Sequence, residues 1–243
     1  MKVRYSYLRQ QFSNCDDLWS SLKKFVKTGD FTLGKELEKF ENSFSRLIGT
    51  RYAVGVNSGT DAIKLSLKTL NIKSGDEVIT AANTFVATVG AITELGAIPV
   101  FVDCDDTFCM NVDLVEKKIN KKTKAIVPVH FTGYMTHMPK LLKIAKKKNI
   151  PIVEDACQSI LGSINNKNAG TWGEFGAFSL HPLKNINVWS DGGIITTNSK
   201  SYYNKIRLLR NHGLSDRDTV KICGYNSRLD TFQDRKSTRL NSS

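Results

Sequence analysis

The sequence of 243 residues has no long uninterrupted apolar run. The nearest candidate for a membrane span lies at residues 85–104, and Glu94, Gly96 and Pro99 interrupt it. Residues 1–30 contain no apolar core of the kind that a secretory signal needs. With 40% hydrophobic and 24% charged residues, the composition is that of an ordinary globular protein. These features argue against a disordered, fibrous or membrane protein, and we predict no membrane partner.

Cysteine is scarce, and its spacing fits neither a disulfide framework nor a zinc site. The cysteines are odd in number and scattered, and the four histidines are not paired with them. Without a secretory signal, we expect reduced thiols and a cytoplasmic protein, and we predict no metal site. The five cysteines are Cys15, Cys104, Cys109, Cys157 and Cys223.

Two glycine-rich signatures are also missing. No Gly-x-Gly-x-x-Gly follows an apolar run, and no Gly-x-x-x-x-Gly-Lys-Ser/Thr occurs, so dinucleotide-binding and P-loop proteins lose their usual support. The net charge is +12, and lysines cluster at residues 117–124 and 140–148 without interleaved aromatic residues. This pattern predicts a solvated basic face and no nucleic-acid partner, with a favourable field for an anionic substrate as the alternative.

Short apolar runs alternate with amphipathic stretches through the middle of the chain. One amphipathic stripe, from Leu37 to Ile48, ends at Gly49, as a helix would. Regular alternation of strands and helices predicts an α/β fold with a mainly parallel sheet, which binds ligands at the carboxyl ends of its strands. The predicted strands are Tyr52–Val56, Glu77–Thr80, Ile98–Val102, Ala125–Val129, Ile150–Val153 and Gly193–Thr197.

Three motifs carry candidate chemistry. Residues 57–62 (Asn-Ser-Gly-Thr-Asp-Ala) follow a predicted strand and open a helix, which suits an anion, although Ser58 or Thr60 could simply cap that helix. Asp155 ends a predicted strand, where it could face a ligand or cap the next helix. Lys184 lies in an apolar stretch flanked by glycines, where desolvation would favour Schiff-base chemistry, although a surface lysine is the alternative.

Together these motifs resemble the DegT/DnrJ/EryC1/StrS sugar aminotransferases, from about Phe31 to Gln233. The resemblance implies the large domain of a fold-type-I pyridoxal-phosphate-dependent transferase, with a three-layer α/β/α arrangement. We accordingly predict an N-terminal helical segment at residues 1–30 and a cofactor-binding domain at residues 31–233. Residues 234–243 hold few apolar side chains and predict a disordered or foreign tail. The family continues into a small C-terminal domain that we do not find here.

The resemblance implies a role for each residue around the cofactor ring. Lys184 would bind pyridoxal phosphate covalently, and Asp155 would pair with the pyridinium nitrogen. Gln158 would bond near the 3-oxygen, and Phe85, in the motif at residues 82–88, would stack on the ring. A core phenylalanine is the alternative for Phe85.

The same resemblance implies residues for the phosphate and the substrate. Gly59, Thr60 and Asp61 would form the phosphate turn, and Ser179 would add a hydroxyl. Asn226 and Arg228 match residues that enter the partner subunit's site, Asn226 toward the cofactor phosphate and Arg228 toward the substrate, so we expect a homodimer with shared active sites. His181 would lie near the substrate. These phosphate and substrate residues would complete the cofactor site.

The implied activity is transamination of a nucleotide-linked keto-sugar, with glutamate as the amino donor, to make an amino sugar for glycan synthesis. A related deoxysugar dehydratase is an alternative, but it has histidine where this chain has Lys184. The second alternative is a binding or regulatory protein that has the same fold but no catalytic activity. Residues 189–193 read Trp-Ser-Asp-Gly-Gly where many members have Gly-Glu-Gly-Gly, which leaves the aminated ring position open. Because the resemblance ends near Gln233, we expect reduced or absent turnover from this chain.

Overall fold

A computed structural model describes residues 6–11 and 13–231. The helices in this part of the chain are α1 (Leu8–Gln11), α2 (Asp16–Val26), α3 (Lys35–Ile48), α4 (Gly59–Thr69), α5 (Val86–Thr93), α6 (Val112–Lys118), α7 (Met138–Lys148) and α8 (Lys200–Leu209), with a 3₁₀ turn at Phe131–Gly133. The strands are β1 (Tyr52–Val56), β2 (Glu77–Ala81), β3 (Ile98–Val102), β4 (Thr123–Val127), β5 (Val153–Asp155), β6 (Ser163–Ile164), β7 (Lys167–Asn168), β8 (Phe175–Ser179) and β9 (Gly193–Thr197). The predicted tail at residues 234–243 lies outside the described residues.

Seven strands form the central layer in the order β1-β9-β8-β5-β4-β2-β3. Parallel bridges from Ile126 to Ile152 and from Val129 to Asp155 join its two halves. Every strand of this layer runs parallel except β9, which pairs antiparallel with both β1 and β8. The exception has a local cause, because no helix separates β8 from β9 and the chain turns back on itself there. The prediction of a mainly parallel sheet is confirmed.

Helices cover both faces of this sheet, because successive strand residues point to opposite sides. Ile126 belongs to one apolar core, with Phe44 of α3 and Leu141 of α7. Its neighbour Val127 belongs to the other core, with α4, α5 and α8. The strands are apolar on both faces for this reason, as in other covered parallel sheets. The predicted three-layer α/β/α arrangement is confirmed.

In the central layer, the predicted strands lie close to the observed ones, with three differences. β4 (Thr123–Val127) lies two residues earlier than predicted, β5 (Val153–Asp155) begins three residues later, and no predicted strand covers β8. β8 follows a glycine-rich stretch that resembles a loop, and its own Gly176 is required because a Cβ there would collide with Gly170. The glycines that hide the strand in the sequence are those that allow its close packing.

Two surface features complete the description. All ten lysines of the two clusters are exposed, and those that pair do so with Asp113 and Glu116. Among residues 6–11 and 13–231, no helix combines the length and apolar character needed to cross a membrane.

Candidate active site

A cavity of about 450 Å³ opens at the carboxyl ends of β1, β2, β4, β5 and β8. This is the edge at which parallel α/β sheets bind ligands, and the volume is within the range of small-molecule sites. Eight residues predicted from the sequence line it. They are Gly59, Thr60, Phe85, Asp155, Gln158, Ser179, His181 and Lys184.

The first turn of α4 faces the cavity and is built to hold an anion. Ser58 caps the helix by accepting a hydrogen bond from the Asp61 N–H at 3.0 Å. The N–H groups of Gly59 and Thr60 precede the helical bonding pattern and stay available to a ligand. A Cβ on Gly59 would lie 2.8 Å from the Ser179 Cβ, so glycine is needed for this approach. Capping and anion binding therefore coexist in this turn.

Asp155 lies at the end of β5 with its side chain oriented by neighbours. The Thr88 hydroxyl donates to its Oδ2 at 2.7 Å, and the Cys157 N–H donates to its Oδ1 at 3.2 Å. The Thr84 hydroxyl lies 2.7 Å from the Thr88 hydroxyl and donates to it, since the Thr88 proton is already used. Asp155 is 5% exposed, so the carboxylate meets ligands only through the cavity.

The thiol of Cys157 borders the cavity beside both charged groups. Burial raises its pKa well above the usual range, and the neighbouring Asp155 carboxylate raises it further. Lys184 acts in the opposite direction, because a nearby positive charge favours the thiolate. The carboxylate and the amine therefore act on one thiol inside the same cavity.

Lys184 follows a turn whose backbone is held at several points. Its N–H donates to the His181 carbonyl at 2.8 Å, and the Asn187 side chain donates to the Lys184 carbonyl at 2.8 Å. The His181 ring accepts from the Leu183 N–H through Nδ1 at 3.3 Å, so this histidine caps the turn. The lysine stem thus leaves a braced turn toward the cavity.

Gln158 and Phe85 lie on other walls of the cavity. Gln158 Oε1 accepts the Thr132 N–H at 3.1 Å, which leaves the amide NH₂ as a donor. Phe85 precedes α5 and is 72% exposed, so it is not the core residue that its type alone would favour. An exposed aromatic ring at a cavity is available for stacking on a flat ligand.

Three predicted residues do not line the cavity of their own chain. The carboxylate of Asp61 points away from it and lies 2.8 Å from the Lys64 Nζ. Asn226 is exposed and bridges to Asn211, and the Arg228 guanidinium donates to the Asn211 side chain at 3.1 Å. The sequence alone does not show that Gly59 and Thr60 line the cavity whereas the adjacent Asp61 does not.

The comparisons with known proteins agree with this site. The family model for DegT/DnrJ/EryC1/StrS aminotransferases matches residues 15–234. The chain belongs to this aminotransferase family. It is 40% identical over 219 residues to a UDP-N-acetyl-3-dehydro-alpha-D-glucosamine 3-aminotransferase of Acidithiobacillus ferrooxidans, covering 90% of this chain and 59% of that protein.

Solved structures of aminotransferases show the same fold. The chain matches DesV of S. venezuelae with a TM-score of 0.94 at 34% identity, covering 99% of this chain and 67% of that one. It matches NtdA of Bacillus subtilis, solved with bound PMP, with a TM-score of 0.92 at 33% identity, covering 99% and 57%. The chain spans about three fifths of the length of the curated relatives it matches.

The family depends on pyridoxal phosphate, and the cavity fits this cofactor. Its donor set provides an anion-binding turn, a carboxylate, an amide donor and an amine around one space. Gly59 lets this turn lie directly against Ser179, because a Cβ at residue 59 would collide with the Ser179 Cβ. We find no conflict between the residues present and the family's cofactor.

Several site residues were not predicted, although some left a signal. Thr88 lies in the quoted motif at residues 82–88, yet its bond to Asp155 crosses 67 positions of sequence. Asp191 belongs to the segment that departs from the family pattern, and it lines the cavity. Cys157 lies between Asp155 and Gln158, and the sequence predicts nothing for it beyond a reduced thiol. Proximity to a predicted motif was the available signal in each case.

Proposed function

We propose that this chain binds pyridoxal phosphate through Lys184 and contributes to transamination of a nucleotide-linked keto-sugar, with glutamate as amino donor. The observation that carries the proposal is that Asp155 and Lys184 line one cavity beside the anion-binding turn of α4. The named relative from Acidithiobacillus acts on a UDP-linked sugar, which supports the substrate class. The product would be an amino sugar for polysaccharide or related glycan synthesis.

When bound, the cofactor supplies an electron sink for the carbanion formed at a substrate carbon. Asp155 would hold a proton on the ring nitrogen, with Thr88 fixing the carboxylate direction. The N–H groups of Gly59 and Thr60 and the hydroxyl of Ser179 would bind the phosphate, and Gln158 would donate to the ring oxygen. These contacts would orient the ring against Phe85.

Lys184 would have two duties. Its amine would hold the cofactor until the donor's amino group displaces it. The free Nζ would then move a proton between the donor α-carbon and the C4′ atom of the cofactor. The Asn187 and His181 contacts brace the turn from which this amine works. After the donor has left as its keto acid, the same proton transfer by Nζ in reverse would serve the half-reaction in which the keto-sugar accepts the amino group.

The proposal includes a homodimer with shared sites. Asn226 is exposed and outside its own cavity, which supports a role in the partner's cavity, toward the cofactor phosphate. Arg228 would serve the substrate side. Exposed apolar side chains near the cavity, including Phe85, Val86 and Leu183, offer a surface that a second subunit could cover. The cytoplasmic location stays a prediction.

The experiment mixes the chain with pyridoxal phosphate, reduces the complex with borohydride and locates the modified lysine by peptide mass. We expect one modified site, Lys184, and no lysine-dependent absorbance band in Lys184→Ala. Lys143→Ala, which removes an exposed lysine of the basic face, is the matched control and should behave as wild type. A modification at another lysine, or none, would refute the proposal and favour the regulatory alternative. Incubation with glutamate and a panel of nucleotide keto-sugars then identifies the sugar.

A further inference from the structure

The first turn of α4 has a second face that points away from the cavity. Asp61 Oδ1 lies 2.8 Å from Lys64 Nζ, and Asp61 Oδ2 accepts a hydrogen bond from the Ser227 hydroxyl at 2.7 Å. One carboxylate therefore joins the turn that carries Gly59 and Thr60 to a segment more than 160 residues later in the chain. The phosphate role predicted for Asp61 leaves these contacts unexplained.

The later segment is held on both sides of Asn226. Ser227 is buried, and its N–H donates to the Arg210 carbonyl at 2.9 Å. On the other side, the Tyr225 ring lies 4.9 Å from the Lys64 ammonium. With Tyr225 and Ser227 held to α4, the intervening Asn226 is left exposed.

Lys64 completes the contact between the two segments. It is 8% exposed, and it pairs with Asp61 at 2.8 Å and with Glu94 at 3.1 Å. Burial alone would lower its pKa, but the Asp61 and Glu94 carboxylates outweigh burial and raise it. A buried ammonium needs such partners, and losing one of them disturbs the rest. The arrangement therefore depends on the Asp61 carboxylate.

We propose that Asp61 is a positioning residue, which acts through Lys64 and Ser227 to set Asn226 for entry into a second copy of this chain. The inference rests on the proposed function, in which Asn226 reaches the partner's cofactor phosphate. Because Gly59 and Thr60 of the same turn would bind the phosphate in their own subunit, cofactor binding and dimer formation are linked. By reciprocity, the cofactor tightens the dimer as much as dimer formation tightens the cofactor.

The test measures the affinity for pyridoxal phosphate by absorbance titration and the dimer affinity by sedimentation. Asn226→Ala should weaken cofactor binding about tenfold or more, because a hydrogen bond to a charged group is lost. Ser227→Ala, which keeps the Asp61–Lys64 pair, and Asp61→Asn should each weaken it several-fold. Asp113→Asn is the matched control, since Asp113 is also a first-turn helix carboxylate paired with a lysine.

A double-variant comparison separates positioning from general destabilisation. In the Asn226→Ala background, adding Ser227→Ala should change the cofactor affinity by less than about twofold, because both act through Asn226. An undiminished effect in that background overturns the inference and leaves the proposed function intact, and so does a wild-type chain that stays monomeric with cofactor bound. If the wild type forms no lysine-linked complex, the proposed function fails, and this inference fails with it.

Discussion

Glu154 and Asp155 are adjacent residues of β5, yet their carboxylates lie in opposite environments on the two faces of the sheet. Glu154 is fully buried, and Asp155 borders the cavity. The donors to Glu154 are His130 Nε2 at 3.0 Å, Gly170 N at 2.9 Å, Trp172 N at 2.6 Å and Gly173 N at 2.8 Å. Because Thr136 N–H donates to His130 Nδ1, the proton of the neutral imidazole lies on Nε2.

The difference is one of remaining acceptor capacity. A carboxylate has about four lone-pair sites, and the four donors of Glu154 use them. Asp155 accepts from the Thr88 hydroxyl and from the Cys157 N–H, which leaves capacity for a ligand. We conclude that a saturated carboxylate maintains structure, whereas one left partly unsatisfied and open to a cavity is available for chemistry.

The largest expected effect is the loss of stability when the fully hydrogen-bonded Glu154 carboxylate is removed. Glu154→Ala leaves three backbone N–H groups and the His130 Nε2–H without their acceptor, so we expect a loss of about 3 kcal/mol or more in the free energy of unfolding. Urea denaturation measures it. Glu116→Ala, at an exposed carboxylate paired with Lys147, should leave the free energy of unfolding nearly unchanged, because water screens an exposed ion pair. A loss at Glu154 no larger than at Glu116 would contradict our view of this network.

The second prediction concerns Asp155, whose carboxylate borders the cavity. Asp155→Asn keeps the shape of the side chain but removes the negative charge that would hold a proton on the cofactor ring. We expect the reaction of the cofactor-loaded chain with glutamate to slow about a hundredfold or more. The free energy of unfolding should change by less than about 1 kcal/mol, because only part of the carboxylate's hydrogen bonding is lost. Stopped-flow absorbance measures the reaction, and a loss of stability without slower chemistry would reverse the roles that we assign to the two carboxylates.

Much of the fold was predictable because its signals are local. The apolar runs at β1 and β9 coincide with the observed strands, since strands inside a covered sheet need apolar residues on both faces. The run at β3 also coincides, although this edge strand leaves Ile98 and Phe101 exposed. β8 carries a weaker signal, because its Gly176 serves close packing against Gly170 and Thr196. The antiparallel direction of β9 follows from the helix-free connection after β8, so the sequence cannot indicate it unless β8 is recognised.

Site residues that lie within a sequence motif were predictable, whereas contacts between segments far apart in the sequence were not. The sequence motifs predict Lys184 and Asp155 as site residues, and the structure places both at one cavity. Their assigned roles stay predictions. Asp61 lies within a motif, but its carboxylate points away from the cavity. The sequence of the motif does not indicate which side of the helical turn each side chain occupies. Thr88 and the donors to Glu154 depend on packing between segments, which no local pattern records.

The smallest expected effect is a change in the rate at which the Cys157 thiol, beside Asp155 in the cavity, is alkylated. Burial and the Asp155 carboxylate raise the pKa of the Cys157 thiol, so it stays protonated at pH values where an ordinary cysteine begins to ionise. Cys223, by contrast, is exposed. Iodoacetamide at mildly alkaline pH should therefore modify Cys157 more slowly than Cys223. Removing the negative charge in Asp155→Asn lowers the pKa and should speed modification of Cys157 about threefold or more. Lys184→Ala removes the opposing positive charge and should slow it. Mass spectrometry gives the alkylation rates of Cys157 and Cys223 in one sample, with Cys223 as the internal control. If the rate at Cys157 changes in the same direction in both variants, then the access of the reagent, and not the local charge, governs the reactivity of this thiol.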